Sequence, residues 1–79
     1  MKIIRSAYKH GVSNADIIDA LNHPLGVKVQ RWHPRKCLYI GFGAHGLLLE
    51  IATVIDDNGE EMVIHAMKAR QAIVREVLG

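Results

Sequence analysis

The run Leu47-Leu48-Leu49-Glu50-Ile51-Ala52-Thr53-Val54-Ile55 constrains this chain more than any other stretch. A segment this apolar and β-branched, closed on each side by glycine-bearing turns, predicts a central strand with both faces at least partly covered. Glu50 is its one charged residue. A carboxylate in such a strand must be paired, protonated, or turned toward a surface left open for a purpose.

The chain has 79 residues, which predicts one domain, residues 1–79, with a small core and much of its surface in water. Aromatic residues are few, so that core must be largely aliphatic, and a homo-oligomer or a hetero-oligomer with a partner is expected to cover what remains. The formal charge of +2 permits an RNA, DNA or acidic-protein partner without demanding one. A lone cysteine, Cys37, offers no internal disulfide, and the start Met-Lys-Ile-Ile-Arg-Ser has no apolar signal core. No segment has the length and apolarity of a membrane span, so a soluble cytoplasmic protein is expected.

Ahead of the central run, Ile3, Ile4, Ala7 and Tyr8 recur at helical spacing before Gly11, predicting a first helix over residues 3–10. Ser13, with Asp16 three places on, forms a capping pattern that starts a second helix from about Asn14 to Asn22, and His23-Pro24 ends it. Alternation then predicts strands over Leu25–His33 and Cys37–Gly43, followed by the central strand and, after the hairpin signal Asn58-Gly59, a strand over Glu60–Ala66. The stripe of Ile73, Val74, Val77 and Leu78 predicts an amphipathic helix over Met67–Leu78. The expected class is α+β: two N-terminal helices, a four-stranded antiparallel meander, and a C-terminal helix.

Turns centred on Pro34-Arg35, Ala44-His45 and Asn58-Gly59 would place Leu38, Ile40, Phe42, Leu49 and Ile51 on one core face. Lys28, Gln30, Trp32, Tyr39, Glu50 and His65 would collect on the other, as a candidate binding surface. Glu50 and His65 then stand on adjacent strands, directly opposite or one pair out of register. Such a pair serves either acid–base chemistry or a cross-strand ion pair that satisfies Glu50. Trp32 and Tyr39 beside Lys28 suit base stacking with a cation on phosphate, or a protein hot spot. Arg70 falls on the buried stripe of its helix, and Arg31 on core-side parity near a strand end; each either lies along the core's edge or reaches for an anion. The five histidines and one cysteine show no metal-ligand spacing, and Gly41-Phe42-Gly43 lacks the setting of a dinucleotide loop.

Lys9-His10-Gly11-Val12-Ser13, followed by a short amphipathic helix and Asn22-His23-Pro24, resembles the opening of BrnT-type toxins, with their K-H-G-V-S segment. Val63-Ile64-His65-Ala66-Met67-Lys68-Ala69-Arg70 is similar to that family's R-I-I-S-A-R-K-A motif, with Met62 and Met67 where the family has arginines and His65 where it has serine. The resemblance implies a RelE-like fold and an endoribonuclease toxin of a bacterial toxin–antitoxin pair. It also implies an RNA substrate and a small antitoxin protein as partner. The reaction would be attack of a ribose 2′-hydroxyl on the adjacent phosphate without metal or cofactor. Glu50 and His65 would serve proton transfer, and Arg70, Arg31 and Lys9 the developing charge, with Lys68 retained from the motif. The rival readings are a non-catalytic protein- or nucleic-acid-binding module on the same face, and a small-ligand site between subunits.

Overall fold

Leu48–Ile55 is the middle strand of a five-stranded sheet in a computed structural model that describes residues 1–79. The strands are β1 (Lys2–Ile3), β2 (Pro24–Trp32), β3 (Arg35–Phe42), β4 (Leu48–Ile55) and β5 (Glu61–Lys68), in the spatial order β1-β5-β4-β3-β2. Two α-helices, α1 (Asn14–Asn22) and α2 (Gln71–Leu78), and a 3-10 turn at Arg5–Tyr8 complete the chain. β2 to β5 run antiparallel, whereas β1 joins β5 in parallel. The class is α+β, but the expected pair of N-terminal helices on a four-stranded antiparallel sheet, and with it the RelE-like arrangement, is not what the chain adopts.

The first helix fails because its β-branched residues find a sheet edge. Ile3 pairs with Val63, and the Ile4 N–H donates to the Val63 carbonyl at 3.0 Å. The 3-10 turn is what remains of the helical pattern, and it buries Ala7 against the core. The capping pattern at Ser13 does start α1: the Ser13 hydroxyl accepts the Asp16 N–H at 3.1 Å and donates to Asp16 Oδ2 at 2.9 Å. The last helix begins four residues later than its periodicity predicts. β5 stays paired with β4 through Lys68, and the Ala69 N–H is taken by the Leu48 carbonyl.

Both faces of the sheet are covered. α1 lies on one face so closely that a Cβ at Gly41 would meet the Ala20 carbonyl oxygen at 2.6 Å. On the other face α2 crosses Gly26, where a Cβ would meet Leu78 at 2.5 Å. The α1 side carries the main core of Val12, Ile17, Ala20, Leu49, Ile51, Val63 and Ala66. Full burial of each large aliphatic there contributes about 1.5–3 kcal/mol before entropy is counted.

The division of side chains between faces differs from expectation, and for β3 the turn that follows it is responsible. Gly43 donates its N–H to the Leu47 carbonyl, so three residues, Ala44, His45 and Gly46, form the turn, with Gly46 at φ 81°. One residue more than a two-residue turn slides β3 by one place, and every β3 side chain changes sides relative to β4. Ile40 therefore faces Glu50, and Tyr39 faces Ile51. Leu38 and Ile40 share the face of Glu50, while Tyr39 leaves it.

Candidate functional site

Glu50 is 2% exposed, yet both its carboxylate oxygens are fully used. Oε1 accepts the Arg70 backbone N–H at 2.8 Å and its Nε–H at 3.0 Å; Oε2 accepts an Arg70 terminal N–H at 2.7 Å and lies 2.9 Å from His65 Nε2. The guanidinium grips the carboxylate with two parallel bonds. The fold supplies this arrangement directly. Arg70 occupies the N-cap of α2 in extended conformation, so its N–H is not needed by the helix and is free for Glu50. The anion that Arg70 was expected to reach is thus the chain's own.

Burial pushes the Glu50 carboxyl up, but the Arg70 side-chain bond, the Arg70 N–H and the His65 contact outweigh it and hold the group below its ordinary value. An ionised carboxylate only accepts, so His65 Nε2 carries the hydrogen that faces Glu50, and Nδ1 is the nitrogen turned away from it. No protein group bonds that nitrogen. A carboxylate bonded at both oxygens and held below its ordinary value is a poor proton carrier and is better suited to positioning its neighbours.

His65 reaches this face through a β-bulge. Ala52 pairs with His65 and Thr53 with Val63, leaving Ile64 extra, and the displaced strand turns the imidazole toward Glu50. The bulge and α2 frame a cleft of about 220 Å³ lined by Gln30, Lys36, Leu38, Ala52, Ile64 and Ile73 together with Glu50, His65 and Arg70. The His65 side chain is 27% exposed and that of Arg70 58%, so both remain accessible above a sealed carboxylate. The His10 ring stands beside them, 5.5 Å from the His65 ring and nearly perpendicular to it.

Of the other expected site residues, Lys28 stays on the Glu50 face, opposite Leu38, and the rest are placed differently. Lys9 is exposed and makes no ion pair, and Lys68 ends β5 opposite Leu49, on the parity away from Glu50. Lys28 pairs with Glu76 at 3.8 Å, and Arg31 Nε–H donates to the Pro34 carbonyl at 3.1 Å. Trp32 stands exposed at the end of β2. Tyr39, on the α1 face, donates to Glu61 Oε2 at 2.8 Å; burial and that carboxylate push its phenol up to about 12. Lys28 and Gln30 therefore stay on the Glu50 face, while Tyr39 and Trp32 leave it, so the expected aromatic part of that surface does not assemble.

A second carboxylate–histidine pair joins Asp16 and His45. Asp16 Oδ1 accepts the His45 N–H at 3.0 Å and lies 3.0 Å from its Nδ1, fastening the β3–β4 turn to the start of α1. The capping pattern shows that Asp16 has a local role, but only the three-residue turn brings His45 to it. A larger apolar cleft of about 490 Å³, lined by Met1, Ile3, Tyr8, Ile18 and Leu21 among others, has no acid or base aimed into it, since the Tyr8 hydroxyl is committed to Asn14 at 2.8 Å. No three His, Cys, Asp or Glu side chains form a metal-ligating group. No helix is long and apolar enough to cross a membrane. No protein-family model matches the chain, and neither a curated protein nor a solved structure matches it.

Proposed function

We propose that the chain is an endoribonuclease acting by acid–base chemistry, with His65 as the proton-transfer group. The observation that supports this reading is the single buried carboxylate that fixes the His65 tautomer and anchors Arg70 at the rim of one cleft. His65 Nδ1 accepts the proton of a ribose 2′-hydroxyl as that oxygen attacks the adjacent phosphorus. The outward side of the Arg70 guanidinium offers donors to the phosphate oxygens, where negative charge develops. Glu50 stabilises the imidazolium that forms and prevents the ring from turning.

The likeness of Lys9–Ser13 and Val63–Arg70 to BrnT-type toxins extends the proposal to a toxin held inactive by a small antitoxin protein. A non-catalytic module is the second reading, favoured by the exposed guanidinium, which would bind an anionic partner equally well. Incubating the purified chain with RNA in excess chelator separates them. The ribonuclease reading expects fragments ending in 2′,3′-cyclic phosphate; RNA bound but intact, with the protein folded and free of antitoxin, supports the binding module instead. Cleavage that stops with chelator would show that a metal is needed.

A further inference from the structure

The proposed reaction leaves one role unfilled. A base that has taken the 2′-hydroxyl proton lies on the attacking side of phosphorus, while the bond to the 5′-oxygen breaks on the far side in line with it. That oxygen departs as a poor alkoxide unless a second group protonates it. Glu50 is excluded because Arg70 and His65 occupy both of its oxygens.

We propose that His10 is the general acid for the leaving 5′-oxygen; this rests on the ribonuclease reading of the His65 cleft. Its ring is 5.5 Å from that of His65 at an interplanar angle of 76°. No hydrogen bond joins the two rings, and His10 is exposed with both nitrogens free of protein partners. A ring nitrogen addresses an oxygen at about 2.6–3.2 Å, so rings this close can serve two oxygens of one phosphorus.

The backbone around His10 is held in place. Buried Ala7 fixes the 3-10 turn to the core, Ser6 Oγ donates to the Ile64 carbonyl at 3.3 Å, and the Gly11 N–H donates to the Tyr8 carbonyl at 3.0 Å. Ser6 thus ties the 3-10 turn, two residues ahead of His10, to the bulge that aims His65. The protons balance: one passes from the 2′-hydroxyl to His65 as the O2′–P bond forms, and one passes from His10 to the 5′-oxygen as the P–O5′ bond breaks. The products are a 2′,3′-cyclic phosphate and a free 5′-hydroxyl.

The test compares an oligoribonucleotide with a ribonucleoside 3′-(4-nitrophenyl phosphate), whose leaving group departs without protonation. His10→Ala should lower oligonucleotide cleavage by about a hundredfold and recover most of its rate on the aryl ester, whereas His65→Ala should lose both. His10→Gln, with rates expressed per folded molecule from a thermal melt, guards against a folding defect. Full oligonucleotide cleavage by both His10 variants, or equal losses on the two substrates, would overturn the assignment and leave the ribonuclease reading standing. A folded wild-type chain inert on both substrates would overturn the two together.

Discussion

The molecule holds two carboxylate–histidine pairs of nearly equal length, 2.9 Å between Glu50 and His65 and 3.0 Å between Asp16 and His45, and they differ in almost everything else. Glu50 is sealed beneath α2 and tied to an arginine, with its histidine at the rim of a cleft. Asp16 is tied to Ser13 and to a histidine whose side chain is 76% exposed on a turn. Both carboxyls sit below their ordinary values, Asp16 chiefly through its His45 bond, and Glu50 because Arg70 overcomes the opposing effect of burial. A short distance therefore does not identify a reactive pair. The difference lies in whether the carboxylate is buried, whether a cation accompanies it, and whether the histidine lines a cleft.

Breaking the buried pair should have the largest effect. Glu50→Gln keeps the shape but places an amide N–H against donors, so cleavage should fall about a hundredfold or more, with the loss in kcat. The same substitution removes charge-assisted bonds and should cost about 1.5–3 kcal/mol by urea denaturation.

The acid limb of stability sharpens the contrast. Because folding lowers the Glu50 pKa, its contribution is fully present above the ordinary value of 4.5 and is lost as pH falls through the lower folded value. The stability gap between wild type and Glu50→Gln should thus be constant near neutrality and close below pH 4.5. A gap unchanged down to the acid transition would mean that the carboxylate is not preferentially ionised in the folded protein.

On the exposed pair the expected effects are smaller and confined to folding. Ser13→Ala removes the N-cap of α1 and should cost about 1 kcal/mol, with cleavage per folded molecule unchanged. Asp16→Asn should shift the urea midpoint by less than Ser13→Ala while loosening amide exchange at His45, whose N–H keeps an acceptor of weaker character. A loss of activity from either substitution would join the two pairs functionally and remove the distinction between them.

How far the sequence reveals this site depends on which residues set register. The composition of Leu47–Ile55 makes β4 and its single carboxylate plain, and Ser13 marks the start of α1. Turn lengths are less legible, because glycine permits two- and three-residue forms alike, and Gly46 takes the longer one. That one residue moved Tyr39 away from Glu50 and emptied the expected aromatic surface. Glu50 and His65 share a face as expected, but by cancellation. The β4–β5 turn is also one residue longer than Asn58-Gly59 suggests, and the bulge at Ile64 restores the parity. Ile3 and Ile4 fit a helical stripe equally well as a strand, and only the open edge of β5 decides between them. His10 shares its motif with Lys9, and nothing in the spacing of residues 10 and 65 shows that the fold brings their rings together.

The most direct test sets His65→Ala beside His45→Ala and measures RNA cleavage per folded molecule in the presence of chelator. A proton-transfer role predicts a loss of about a hundredfold or more for His65→Ala and wild-type rates for His45→Ala. Equal activity in the two variants would contradict it, and would make the Glu50 cluster a structural ion pair beneath a binding surface.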